Sequence, residues 1–417
     1  MPLVFILCFY ALALQNMLEG VWGPFGYLDE MFAVLAIILL VWRWGGYYRR
    51  NNKLLSDRST IMTCAMFSVF MFSGLLGNII YQYQPLSAVI IDLFTNMKFF
   101  LAIVTAYILF GKMQWNTLQS HAKTHTRLLS VITFIVFVAD RIFNFFPAEV
   151  RHGIKSARLY YGHPTYLAGA MIFLITMLTI FYQKTNLPYI AMDLIVLGFT
   201  LRGKALAGVV IYTFFFLFFI VWKKRQLKVW QMALVAIAVF ALAWSQVHFY
   251  FIELYGRSAR SVVTITSIQI LKDYFPIGTG FGTYASHVAS VHYSPVYLQY
   301  GFDQVYELRP MTGKFFDDWF WPIIIGQTGF VGTVAYVGAL CGVFRKCLSI
   351  KKSTICIFMG ILFAMAYLLV SSTSEPAFNN SIAIPLAMVI GIVFNAFDNG
   401  KIDMVARPDE TGNKYSG

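Results

Sequence analysis

The stretch LPYIAMDLIVLGFTLRGKALAGVVIYTFFFLFFIVW occupies residues 187–222. It is too long for one membrane helix, which needs about 20 apolar residues. Leu201-Arg202-Gly203-Lys204 interrupts it with two cations and a glycine. Charged and irregular backbone at membrane depth is costly, so the segment reads as two shorter helices meeting at a membrane surface with Arg202 and Lys204 at the junction.

Working outward, the whole chain has the same character. Of 417 residues, 59% are hydrophobic and 12% charged, with a mean hydropathy of +0.66, against about 25% charged in soluble domains. Apolar windows fall near 2–18, 28–44, 60–81, 86–110, 128–146, 165–183, 187–200, 204–222, 228–247, 317–343, 354–372 and 379–397. They predict an all-α polytopic membrane protein of about twelve transmembrane helices. Residues 1–417 form one membrane domain, with one long extracytoplasmic loop, 248–316, between the ninth and tenth helices and a cytoplasmic tail, 398–417. The first apolar run lacks a basic leader and a small-residue cleavage site and reads as a retained helix. Cys8, Cys64, Cys341, Cys347 and Cys356 lie in or beside apolar spans without CxxC spacing, which indicates neither a disulfide framework nor a zinc site.

The formal charge of +13 suits membrane orientation better than nucleic acid, because the basic residues are dispersed among short loops and no nucleic-acid-binding motif is present. With both termini cytoplasmic, most Lys and Arg residues fall inside, as the positive-inside rule requires. The exceptions concentrate in 151–158, in Arg202 with Lys204, and in 257–314. Cations kept on the outer face point to a polyanionic ligand.

Four segments carry candidate chemistry. Arg202 and Lys204 could hold a diphosphate, since a guanidinium binds it bidentately, or could be an interfacial pair reaching for headgroups. In RSARSVVTITSIQILKDYFPIGTGFGTYAS, from residue 257, Arg257 and Arg260 have the i, i+3 spacing of one helix face. Gly278, Gly280 and Gly282 follow Pro276 in a turn whose amides could cradle an anion or could simply re-enter the membrane. In FFDDWFWPIIIGQTGFVG, from residue 315, Asp317 and Asp318 sit where an apolar helix begins. Aromatic neighbours would raise a carboxylate's pKa towards a working base, arginines would lower it, and helix capping is a further role. ARLYYGHPTYLAG, from residue 157, places Arg158, Tyr161 and His163 at the start of the sixth span, without metal-ligand spacing. The tyrosines from Tyr284 to Tyr306 suit sugar stacking or interfacial anchoring.

Taken together, these segments resemble the O-antigen polymerase and ligase superfamily (Wzy/WaaL) of bacterial polysaccharide assembly over roughly residues 155–345. TLRGKA is similar to the family's short hairpin, with Arg202 at its arginine; Arg260, spaced from Pro276 and the G-x-G turn, matches the second arginine. Gln327, Gly329 and Gly332 supply its Gln/Glu-x-Gly-x-x-Gly pattern, and GHPTYLAG resembles exopolysaccharide polymerases. Where the ligases carry a His-Asn pair this chain has Asp318-Trp319, which favours a polymerase and leaves both Asp317 and Asp318 as candidates for the reactive carboxylate.

The resemblance implies a GT-C-like, metal-independent glycosyltransferase without cofactor, in the cytoplasmic (inner) membrane of a bacterium, acting on the extracytoplasmic face. It would transfer a glycan from an undecaprenyl-diphosphate donor to a lipid-linked repeat unit, alongside membrane lipid, chain-length regulator and flippase proteins as partners. Arg202, Arg260 and Asp318 would be catalytic; Arg158, His163, Lys204, Arg257, Gly280, Tyr284 and Asp317 would bind substrate. The alternatives are ligase-type transfer to a lipid or protein acceptor, and a lipid-linked oligosaccharide flippase using Asp92, Lys98, Asp140, Arg141 and Asp193.

Overall fold

A computed structural model describes residues 9–50, 57–110, 115–147, 149–151, 153–224, 229–310, 315–316, 318–350 and 355–400. Asp317, residues 2–8 of the first apolar run and nearly all of the tail lie outside them.

Apolar runs become helices because a helix satisfies every backbone polar group within itself, which a hydrocarbon surrounding demands. The long ones are α1 (Leu28–Arg50), α2 (Arg58–Tyr81), α3 (Leu86–Phe110), α4 (Trp115–Phe143), α5 (Pro164–Ile180), α6 (Leu187–Phe199), α7 (Gly203–Phe216), α8 (Val229–His248), α9 (Ala259–Asp273), α10 (Phe320–Ile350), α11 (Ile355–Ser371) and α12 (Ala383–Asp398). The chain is an all-α membrane protein, and among the described residues the strands are two short ones, β1 (Val150–Arg151) and β2 (Ile154–Lys155), paired antiparallel. Among the described residues, five segments are long and apolar enough to cross a membrane: Gly23–Trp42, Arg58–Tyr81, Leu86–Leu109, Gly203–Val221 and Phe320–Ile350. Their outward faces are apolar: Val41 of α1 is 74% exposed, and Phe72 and Ile79 of α2 are 67% and 68% exposed. Such a surface suits lipid.

Helix limits differ from the apolar windows at α4, which begins at Trp115, ahead of the window starting at 128. Hydropathy marks where lipid could begin, while the polar turns before it continue the same helix.

The 187–222 stretch does divide, into α6 and α7, with Leu201 at φ 52° in the break and Arg202 as the extended residue before α7. The loop after α8 is folded. It contains α9 and has its own core, in which Tyr284, Tyr297, Phe302 and Phe316 pack with Val263 and Ile270 against Ile323 of α10.

That loop is locked to the membrane helices by one exchange of backbone bonds. Thr279 N–H donates to Gly326 O (3.0 Å), Gly280 N–H to Gln327 O (2.9 Å) and Val331 N–H to Pro276 O (3.1 Å). Gly329 makes room by leaving helical geometry, at φ 62° and ψ −158°, and so kinks α10. A Cβ there would lie 2.5 Å from Gly278 N, and one on Gly278 2.4 Å from Gly326 O.

Candidate functional site

Three helices begin on one cavity of about 570 Å³. His163 precedes α5 and accepts a bond at Nδ1 from Thr165 N–H; Arg202 precedes α7; Ser258 caps α9 through Oγ, accepting from Ser261 N–H. The dipole of a helix start favours an anion, although the first amides of α5 and α9 are already taken, Thr165 N–H by His163 Nδ1 and Ala259 N–H by Glu307 Oε2. His163, Arg202, Gly203 and Ala259 all line this cavity. Four cations, Arg151, Arg202, Lys204 and Arg260, stand around it. The charge and the backbone therefore act in the same direction.

Each cation has a partner that aims it. Glu149 Oε2 takes both Arg151 Nη2 (3.0 Å) and Arg202 Nη2 (3.3 Å). The bond from Arg151, followed by the charge of Arg202, holds the Glu149 carboxyl below its ordinary range. Lys204 pairs with Glu375. Arg260 Nη2 reaches Asp318 Oδ2 at 3.2 Å, and its guanidinium lies 4.8 Å from the centre of the Tyr250 ring. Burial, then the neighbouring Arg151, pulls Arg202 below the usual guanidinium range. Like charges crowded this way are a cost that a bound anion relieves.

His163 has donors at both ring nitrogens: Thr165 N–H at Nδ1, 3.3 Å, and Arg202 Nη2 at Nε2, 3.1 Å. A guanidinium only donates, and an imidazolium has no lone pair left to accept. Partial burial, then the charges of Arg202 and Lys204, lowers the ring's pKa to about 4. It faces the cavity as a neutral imidazole.

The β1–β2 hairpin carrying Arg151 is strapped to the end of α4. Arg141 Nη1 donates to Lys155 O (2.6 Å), and Lys155 Nζ donates to Asp140 Oδ1 (3.0 Å). Asp140 and Arg141, candidates for a transport path, are thus part of a brace. Lys98 is likewise paired, with Asp29 Oδ2 and Glu30 Oε1 at 2.6 Å each, and Asp193 Oδ2 accepts from Ser130.

Of the residues singled out from the sequence, His163, Arg202, Lys204, Arg260 and Asp318 come together here. Others do not line the cavity. Arg257 precedes the Ser258 cap and is exposed, so it shares no helix face with Arg260. Arg158 donates through Nη1 to Gly162 O (3.1 Å). The amides of the glycine turn are taken by the protein itself: Phe281 N–H by Asn78 Oδ1 and Gly282 N–H by Asp92 Oδ2. Gly280 is needed for close approach, since its Cβ would lie 2.6 Å from Asn78 N, and its φ of 102° disfavours any side chain. Tyr284 is fully buried and donates to Val263 O at 2.6 Å. Gly280 and Tyr284 hold the loop together.

Sequence reasoning missed Tyr250, Glu307 and Glu375. The run SSTSEPAFNNS (371–381), hydroxyl- and amide-rich between two apolar helices, was the available signal for Glu375.

A second cavity, of about 810 Å³, is walled by α7, α8, α10 and α11 and is overwhelmingly apolar, with Ala207, Phe214, Val239, Leu362 and Ala366 among its lining. It shares Gly203, Lys204, Tyr250, Arg260 and Ser374 with the cationic cavity, so the two adjoin at the cations. Among the described residues, no group of three or more His, Cys, Asp or Glu is placed to hold a metal ion. No family model matches the chain, and no curated protein matches it.

Proposed function

We propose that this protein is a polysaccharide polymerase that transfers a glycan from an undecaprenyl-diphosphate carrier to the sugar of an incoming lipid-linked repeat unit. The observation that carries this reading is the junction of a cationic cavity with an apolar one across Lys204, Tyr250 and Arg260. A polyprenyl diphosphate has that same division, an anionic head on a long hydrocarbon tail. The tail enters between α7 and α11; the head meets Arg202, Lys204 and Arg260.

The chemistry follows from where charge develops. As the glycosidic C–O bond breaks, negative charge grows on the departing diphosphate, and fixed cations stabilise that state more than the bound donor. Arg202 and Arg260 supply this, each held by a carboxylate that leaves further N–H groups free to donate, since a guanidinium has five. Neutral His163 accepts from Arg202 and holds its fork in place. Among the described residues, three carboxylates line the cationic cavity, Glu307, Asp318 and Glu375; Glu307 accepts from Ala259 N–H (2.9 Å), which leaves Asp318, the anchor of Arg260, and Glu375 to deal with the acceptor's hydroxyl proton. In this reading the chain has a GT-C-like arrangement of about twelve crossings. It lies in the inner membrane of a bacterium, with cytoplasmic termini and the site on the extracytoplasmic face.

The test is purified full-length protein in lipid nanodiscs with a synthetic undecaprenyl-diphosphate-linked repeat unit. A ladder of products spaced by one unit is expected. Transfer of a preformed chain without a ladder would make it a ligase, and movement of the intact lipid across a vesicle membrane with no new glycosidic bond would make it a flippase.

A further inference from the structure

A third cavity, of about 300 Å³, adjoins the cationic one. The two share Thr165, Tyr166, Glu375, Pro376 and Asn380. Its character is different. It is lined by side-chain amides and hydroxyls, among them Asn16, Asn379 and Ser286, and by the carboxylates of Asp29, Glu30, Asp92 and Glu375. Lys98 is the one Lys or Arg in that lining, and Asp29 and Glu30 already hold it. Gln15 also lines it, 97% buried by its 3% exposure, and its Oε1 has no partner.

Such a wall repels a diphosphate and accepts from hydroxyl groups. Carboxylates and amide oxygens take O–H donors, while amide N–H groups serve the ring and hydroxyl oxygens, so the complementary ligand is an uncharged polyol. Among the described residues lining the two polar cavities, Glu375 is the carboxylate common to both. It stands where a sugar in one meets a sugar diphosphate in the other. Asp318, by contrast, lines the cationic cavity and is bound by Arg260 through both Nε (3.4 Å) and Nη2 (3.2 Å).

Resting on the polymerase reading, we propose that this third cavity is the saccharide subsite for the acceptor's terminal sugar, and that Glu375 is the carboxylate that takes its proton. The acceptor O–H breaks and its proton passes to Glu375. The oxygen bonds to the donor's anomeric carbon as the bond from that carbon to phosphate oxygen breaks, and the electron pair leaves with the diphosphate. Lys204, a flexible ammonium with three donors, pairs with Glu375 and turns to the diphosphate when the donor arrives. That shift frees the carboxylate at the moment its function is required.

The experiment varies donor and acceptor separately, with the lipid-linked unit as donor and a short alkyl glycoside of the same repeat as acceptor. Glu375→Gln is expected to lower transfer about 100-fold and to bind a fluorescent lipid-diphosphate donor within about 3-fold of wild type; Glu375→Asp should recover part of the rate. Asn379→Ala, outside the cationic cavity, is expected to raise the acceptor KM about 10-fold with kcat within about 2-fold, the loss expected for one or two hydrogen bonds. The proposal is overturned if Glu375→Gln retains wild-type transfer, or if Asn379→Ala leaves the acceptor KM unchanged or shifts donor affinity instead. If the wild type binds no lipid diphosphate, the polymerase reading itself fails, which is a separate result.

Discussion

Lys204 and Glu375 pair across the point where three cavities meet: Lys204 lines the cationic and apolar ones, Glu375 the cationic and amide-rich ones. Lys204 follows the α6–α7 junction and Glu375 lies in the loop between α11 and α12, far apart in the chain. The pair sets the α6–α7 hairpin tip against that loop, so the cationic, apolar and amide-rich cavities converge on one place.

Removing either arginine should remove transition-state stabilisation that nothing else replaces. Arg202→Ala and Arg260→Ala are each expected to reduce ladder formation by about 100-fold or more. Arg260→Lys should restore little, because an ammonium cannot hold Asp318, Tyr250 and a phosphate at once. Unchanged thermal unfolding of the variants would separate this from misfolding; wild-type ladders from Arg260→Ala would refute the assignment.

The apolar cavity should matter only for long tails. Ala207→Trp or Ala366→Trp would fill it, and each is expected to raise the KM for an undecaprenyl donor about tenfold while leaving a short-chain prenyl analogue nearly unaffected. This follows because each buried CH₂ contributes about 0.8 kcal/mol of apolar transfer. Equal effects on both donors would place the tail elsewhere.

His163 should show no titration near its ordinary value. Its folded pKa, about 4, lies below the unfolded value of about 6.5, so the folded state binds its proton less readily. The ring therefore favours the folded state above about pH 6.5 and withdraws that contribution as pH falls towards 4. A labelled-histidine NMR titration should find the low midpoint, and Arg202→Ala should raise it, since it removes the nearest positive charge.

On the opposite rim, Lys346 bonds Asp398 (2.8 Å) and Asp57 (3.4 Å) with its ammonium 5.5 Å from the Tyr107 ring, and its side chain is 5% exposed. Lys346→Ala leaves Asp398 and Asp57 without their cation. We expect a loss of about 3 kcal/mol in stability, read as a lower unfolding temperature in detergent, with donor affinity unchanged at the distant site.

Gly278→Ala puts a methyl carbon where 2.4 Å separates it from Gly326 O. Overpacking of this kind costs about 1–3 kcal/mol. The variant should unfold at lower temperature and lose turnover as α9 shifts, whereas Gly153→Ala, where no atom lies within 4 Å of the new carbon but φ is 75°, should pay only the smaller backbone strain.

Much of this was legible in the chain. Apolar length and the Arg202-Gly203 interruption marked the α6–α7 hairpin. Five candidate residues converge because each sits beside an element start that the sequence signals. What stayed hidden required three dimensions. Phe214, Val239 and Leu362 read as ordinary lipid-facing or core residues until α7, α8 and α11 are seen to stand apart. Glu375 has no neighbouring motif; only the approach of its loop to Lys204 gives it meaning. The glycine turn misled because a run of amides looks the same whether it awaits an anion or is already satisfied by Asp92 and Asn78.

The bonds tying residues 276–280 to the kink at Gly329 divide the long loop into two parts with different freedoms. The first, Ser258 to Gly282, is bolted to the longest helix and cannot be altered without moving Arg260. The second, from Tyr284 onward, packs on Val263 and Ile270 of the first, and the two share one core against Ile323 of α10. Only its exposed positions, Leu298 and Tyr306 among them, can therefore take new side chains while Arg260 and the helix that carries it stay as they are.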